Sequence, residues 1–143
     1  MKKLLNKILF LAGVAINAAA WAAGGPVQSA DSTQNIYSED KLNILVTVDQ
    51  PQFTIKLPSN PTTGYSWYLR EYDSNVVAPV KHHYQGGERR MMGAPGYEYW
   101  YFRVKHAGFI VPQQTLIRFL YARPWQGADN ATQVTFRVTT QAK

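Results

Sequence analysis

Residues 97–106 read YEYWYFRVKH, and the alternation in this stretch decides the fold class. Trp100, Phe102 and Val104 fall on one side of an extended chain; Tyr97, Tyr99, Tyr101, Arg103 and Lys105 fall on the other. A period of two belongs to a β-strand with one face turned to a core. The outer row is more aromatic than solubility requires. Cross-strand aromatic pairing within a sheet is the simpler reading of it, and a contact surface is the other.

The same pattern recurs on both sides of this stretch. Leu42, Ile44, Val46 and Val48 share a face against Asn43, Thr47 and Asp49, with Leu45 out of step. Phe53, Ile55 and Leu57 follow Pro51, and in residues 66–72 Trp67 and Leu69 oppose Tyr68 and Arg70. His82 and His83 fall on a further strand, and residues 115–121 and 133–139 complete the set, the last with Val134, Phe136 and Val138 inward. No segment carries a helical period. Tyr, Phe and Trp make up 13% of the chain and join abundant Val, Ile and Thr, a composition that suits strands. About seven short strands in a domain of ~100 residues predict an all-β, immunoglobulin-like sandwich.

The chain does not begin this way. Lys2, Lys3 and Lys7 precede an apolar run over residues 8–20, and Ala20 and Ala22 give a small-x-small pattern. Residues 1–22 therefore read as a secretory signal peptide cut after Ala22. As a membrane anchor the run is short of the ~20 apolar residues a spanning helix needs, and Asn17 interrupts it. Residues 23–38, polar and small, read as a flexible leader, and residues 39–143 as the domain. The expected product is exported, periplasmic or secreted, monomeric, and free of the membrane once the signal is cut.

Loss of Lys2, Lys3 and Lys7 lowers the net charge from +6 to +3. The remaining charge is mild and scattered, with no Lys/Arg-rich run, which argues against nucleic acid as a partner. The chain has no cysteine, so stability must come from the core. A lipobox, a cysteine nucleophile and any thiolate metal site are excluded with it.

Three connections are rich in Gly and Pro without being minimal hairpins: residues 59–64, 86–96 and 123–130. If successive strands alternate in direction, these loops follow the second, fourth and sixth strands and emerge together, as binding loops do on a sandwich. In the first, Pro61 fixes its own φ and keeps Asn60 extended, while Gly64 allows a positive φ. Thr62 and Thr63 are held between them; alone, the pattern reads either as ordinary turn chemistry or as a pre-organised tip. In the third, Arg123 and Trp125 flank Pro124 and read as interface anchors or, for Trp125, as a lid on the core. The second, GGERRMMGAPGYEYW over residues 86–100, combines glycines that permit close backbone approach with adaptable methionines; a mobile loop without a partner fits it as well.

Catalysis finds little support. His82 and His83 are adjacent on a strand and point to opposite faces, so they cannot share a metal. His106 has no visible partner, and no nucleophile-elbow motif is present. The expectation is a protein that is not an enzyme and uses no metal or cofactor.

Taken together, NPTTGYSW at residues 60–67, GAPG at residues 93–96 before an aromatic strand, and YARPW at residues 121–125 resemble the motifs of the chagasin-like inhibitors of cysteine peptidases, in that family's order and spacing. The resemblance spans residues 42–138. It implies an immunoglobulin-like sandwich whose three loops wedge into the active-site cleft of a papain-like cysteine peptidase. Asn60, Pro61, Thr62, Thr63, Gly64 and Tyr65 would form the central loop, with Thr62 and Thr63 nearest the peptidase's catalytic cysteine and histidine. Gly93, Ala94, Pro95 and Gly96 would run along the non-primed side. Arg123, Pro124 and Trp125 would occupy the primed side, the tryptophan stacking on aromatic residues there. One departure is visible: Pro95 stands where the best-known members carry glycine, and it has no N–H to donate. The rival expectation is an immunoglobulin-like envelope or adhesion module that binds through Tyr97, Tyr99 and Tyr101.

Overall fold

Phe102, the middle of the inward row, is the hub of a chain of rings that joins two sheets. In the computed structural model, which describes residues 35–87 and 93–142, Phe102 stacks on Phe53 with centroids 5.4 Å apart. It meets Phe119 of the opposing sheet edge-on at 6.2 Å, and Phe119 meets Phe136 at 6.1 Å. Ile44, Val46, Ile55, Leu57, Val77, Ile117 and Val138 fill the space around the rings and are almost wholly buried. Each such side chain contributes about 1.5–3 kcal/mol on leaving water, which is how a chain without disulfides holds together.

The strands are β1 (Ile36–Tyr37), β2 (Asn43–Thr47), β3 (Gln52–Ser59), β4 (Ser66–Tyr72), β5 (Val77–Gln85), β6 (Gly96–Val104), β7 (Gln113–Ala122) and β8 (Thr132–Gln141). One sheet has the order β1-β3-β6-β5, the other β2-β8-β7-β4. The pairs β1–β3 and β2–β8 are parallel and the rest antiparallel. This is the all-β sandwich that the alternation predicts, with eight strands among the described residues in place of about seven.

The additional strand falls inside the stretch expected to be a flexible leader. Tyr37 is buried, stands edge-on to Phe53 at 6.4 Å and donates its hydroxyl to Leu45 O at 3.4 Å. Ordered structure thus begins before residue 39, and a two-residue strand offers no period to read. The expected signal peptide and most of the leader lie outside the described residues, as do residues 88–92 of the second loop. Leu42 and Val48, expected inward, are exposed. β2 covers only Asn43–Thr47, and the chain turns immediately after it, with Gln50 N–H donating to Thr47 O at 3.1 Å.

The outer tyrosine row has its partners within its own sheet. The His83 ring stacks on Tyr99 at 5.2 Å and on Tyr101 at 5.6 Å. Lys56 Nζ lies 3.9 Å from the centre of the Tyr97 ring, and Lys81 Nζ lies 5.9 Å from that of Tyr101. His82 faces the other way and stacks on Trp100 at 4.0 Å, so the two histidines are divided between the faces as adjacent strand residues must be. His106 lies beyond β6, in a short 3-10 turn over His106–Phe109.

Candidate functional site

Strand register determines which loops meet. Ser59 at the end of β3 is opposite Gly96 at the start of β6, and Gln85 at the end of β5 is opposite Tyr97. In the other sheet Ser66 is opposite Ala122, and Tyr121 is opposite Thr132. The loops after β3, β5 and β7 therefore leave the sandwich at one end. The first crosses from one sheet to the other; the second closes the β5–β6 hairpin and the third the β7–β8 hairpin. The first is thus central, with a neighbour on either side.

The local chemistry of the first loop follows its sequence. Pro61–Thr63 form one 3-10 turn, which Gly64 closes at φ 81° by donating its N–H to Pro61 O at 3.0 Å. The Thr62 hydroxyl donates to Asn60 Oδ1 and the Thr63 hydroxyl to Asn60 O, both at 2.6 Å. Thr62 and Thr63 are exposed, and their hydroxyls are committed to Asn60 rather than to a histidine or carboxylate base. The turn is built to hold a shape and shows no nucleophile being activated.

Both neighbours are bonded to this turn. Asn60 Nδ2 donates to Gly93 O of the second loop at 3.1 Å. From the third loop, Arg123 Nε donates to Thr63 O at 3.0 Å, while its guanidinium lies 4.4 Å from the centre of the Tyr65 ring. Tyr65 stacks on Tyr121 at 5.2 Å, and the Tyr121 hydroxyl accepts the Asn60 N–H at 3.0 Å. Beneath them Trp67 is buried against Tyr121 and donates Nε1–H to Pro58 O at 2.8 Å. Trp67 and Tyr121 close this end of the core, and Trp125 takes no part in the closure, being 71% exposed.

Of the residues singled out from sequence, Asn60, Pro61, Thr62, Thr63, Gly64, Tyr65, Gly93, Ala94, Pro95, Arg123, Pro124 and Trp125 are at least partly exposed at this end. Gly96 is not. It is the first residue of β6 and buried, and a methyl group there would run into the backbone carbonyl of Gln85 and come within 2.5 Å of the Tyr84 hydroxyl. Gly96 thus shapes the stem of the second loop and offers no surface. The other stem is equally tight: a methyl group on Gly87 would lie 2.7 Å from Pro95 O.

Three contributors escaped the sequence reading. Tyr84 covers Gly96, Tyr121 fastens the first loop, and Glu98 is buried and bonded to Ser59 at the end of β3. Tyr121 opens the YARPW motif without a role assigned to it, and Glu98 carried a signal of its own: it shares the inward parity of Trp100, Phe102 and Val104, and a carboxylate at such a position demands partners. A cleft of about 380 Å³ beside the third loop is lined by Tyr65, Arg123, Gln126 and Asn130 among others. Among the described residues no group of three or more His, Cys, Asp or Glu could hold a metal ion.

The model of the Chagasin family peptidase inhibitor I42 matches residues 48–140. Chagasin of Trypanosoma cruzi is 32% identical over 83 residues, which cover 55% of this chain and 71% of chagasin. The cysteine protease inhibitor EhICP2 from Entamoeba histolytica matches with a TM-score of 0.58 at 22% identity, over 74% of this chain and 94% of that one. Amebosin, a solution structure, gives 0.53 at 23% identity over 76% and 96%. PbICP-C, solved in complex with falcipain-2, gives 0.54 at 17% identity over 75% and 90%. The structures are alike in fold; the family model, matched over well more than half the chain, goes further. With its sandwich and its three gathered loops, this chain belongs to the chagasin family of peptidase inhibitors and is not an enzyme.

Proposed function

We propose that the protein is a reversible, tight-binding inhibitor of papain-like cysteine peptidases that occludes the active-site cleft with its three loops. Family membership supports a cysteine peptidase as target, and a structural relative was solved with falcipain-2. The observation that carries the reading is that the central turn is already bonded to both neighbours, through Asn60 to Gly93 and through Thr63 to Arg123. Ordering the central turn then costs little on binding, and more of the contact energy remains as affinity. Three loops suffice for an interface of standard size, about 1,600 Å² in total.

In this reading Thr62 and Thr63 enter the cleft nearest the catalytic cysteine and histidine. Their peptide is held in a closed turn rather than an extended strand, so the inhibitor offers no bond in a cleavable pose. Gly93, Ala94 and Pro95 line the non-primed side, Pro95 contributing its ring and carbonyl but no N–H. Arg123, Pro124 and Trp125 engage the primed side. The inhibitor acts as a monomer, after export and removal of residues 1–22, in the periplasm or outside the cell. Intact mass of the exported chain checks the last point, with Ala23 as the expected first residue.

Titration of purified protein against papain and several related peptidases tests the main claim. Stoichiometric inhibition that is relieved on dilution is expected; no inhibition at micromolar concentration across the panel sinks it. The rival adhesion reading needs a free tyrosine face, whereas the rings of Tyr97, Tyr99 and Tyr101 stack on His83 or lie beneath Lys56 and Lys81.

A further inference from the structure

Glu98 occupies an inward position of β6, opposite Leu57 of β3 and Tyr84 of β5, and is only 2% exposed. A carboxylate so deeply buried persists where donors surround it. Its Oε1 accepts the Ser59 hydroxyl at 2.7 Å and the Trp67 backbone N–H at 3.2 Å. Ser59 is the last residue of β3 and Trp67 the second of β4. One oxygen atom therefore ties both stems of the first loop and, through them, the two sheets.

The other oxygen serves the second loop. Glu98 Oε2 lies 2.9 Å from His82 Nε2, a hydrogen bond that the ring donates when the carboxyl is ionised. His82 belongs to β5, which leads into the second loop, and Glu98 follows that loop on β6. The third loop is fastened separately, through Tyr121 and Arg123.

We infer that Glu98 is a positioning residue, whose carboxylate sets the spacing of the first and second loops before a peptidase arrives. The inference rests on the reading of those loops as the peptidase-binding surface. Glu98 itself is out of a partner's reach and acts through Ser59, Trp67 and His82. Without it three donors lose their shared acceptor, and the stems of the two loops lose the atom that couples them. Glutamine can replace it: its Oε1 still accepts from Ser59 and Trp67, and its amide can donate to His82 in the other neutral tautomer.

Three variants of the full chain test this: Glu98→Leu, Glu98→Gln and Ser59→Ala. Hydrogen exchange in the free protein is read at Thr63 and Gly64, whose N–H groups close the turn onto Asn60 and Pro61, against the core strand amide of Phe119. Exchange at the turn in Ser59→Ala and Glu98→Leu is expected to quicken about tenfold relative to Phe119, the scale of one hydrogen bond, while Glu98→Gln stays near wild type. A purely structural role would move Phe119 as much as the turn. Inhibition constants against papain should rise in the same order. Turn exchange in Ser59→Ala that is unchanged relative to Phe119 overturns the inference, as does a Glu98→Gln variant as perturbed as Glu98→Leu. Ser59→Ala keeps the test decisive even where Glu98→Leu fails to fold. Exchange needs no peptidase, so an inert wild type would sink the functional reading without touching this result.

Discussion

The Trp125 ring rests on Gly64: a methyl group at Gly64 would come within 2.7 Å of Trp125 Cη2, and Gly64 has φ +81°. The residue that closes the central turn is thus also the floor under the exposed tryptophan of the third loop. Gly64→Ala should strain the turn by about 1–2 kcal/mol and displace Trp125. The expected result is an inhibition constant raised at least about tenfold, together with a thermal midpoint lowered by about 4–8 °C per kcal/mol, measured by papain titration and calorimetry.

Trp125 itself separates anchor from lid. Because the ring is 71% exposed, Trp125→Ala should leave the stability to denaturant within about 0.5 kcal/mol of wild type. As a central anchor its removal should cost about 2 kcal/mol or more, close to 30-fold in the inhibition constant. A large fall in stability with unchanged inhibition would reverse the assignment.

Thr62 and Thr63 are exposed at the tip and held by Asn60. Thr63→Arg or Thr62→Arg places bulk at the tip proposed to enter the cleft and should abolish inhibition at micromolar concentration, while far-ultraviolet circular dichroism stays that of wild type. The stability change expected for an exposed loop position is about 0.5–1.5 kcal/mol, the net value of the hydroxyl bond removed.

Arg123 donates through Nε and covers Tyr65 with its guanidinium plane. Lysine keeps the charge and loses both geometries. Arg123→Lys should therefore weaken inhibition about fivefold, the scale of one solvent-exposed hydrogen bond, mainly through faster dissociation in a surface-plasmon experiment.

Tyr99 provides the control on the opposite hypothesis. Its ring stacks on His83 at 5.2 Å, so Tyr99→Ala should lower stability by about 0.5–1.5 kcal/mol and leave papain inhibition unchanged. Loss of inhibition in this variant, with the fold intact, would move the binding surface from the loops to the sheet.

Much of this was legible in residue order. The parity of Trp100, Phe102 and Val104 identified the inner face of β6, and Val134, Phe136 and Val138 that of β8. The parity of Leu42 and Val48 misled, because both lie just outside β2: Leu42 is held to β8 only by its carbonyl, which accepts the Arg137 N–H at 2.8 Å, and the chain has begun to turn at Val48. Gly96 was legible as a glycine the loop requires, but the cause is the neighbouring strand, whose Gln85 carbonyl and Tyr84 ring leave no room for a side chain.

Strand identity, the all-β class and the turn at Pro61 and Gly64 follow from neighbours in the chain, because period two and the φ preferences of proline and glycine act over a few residues. The union of the loops does not. Asn60 meets Gly93 across 33 residues and Thr63 meets Arg123 across 60, and these contacts exist only because strand register brings Ser59 beside Gly96 and Ser66 beside Ala122. The role of Glu98 belongs to the same level: its residue type warned of a buried charge, and only the packing of β3, β4, β5 and β6 around one carboxylate supplied the donors that make it stable there.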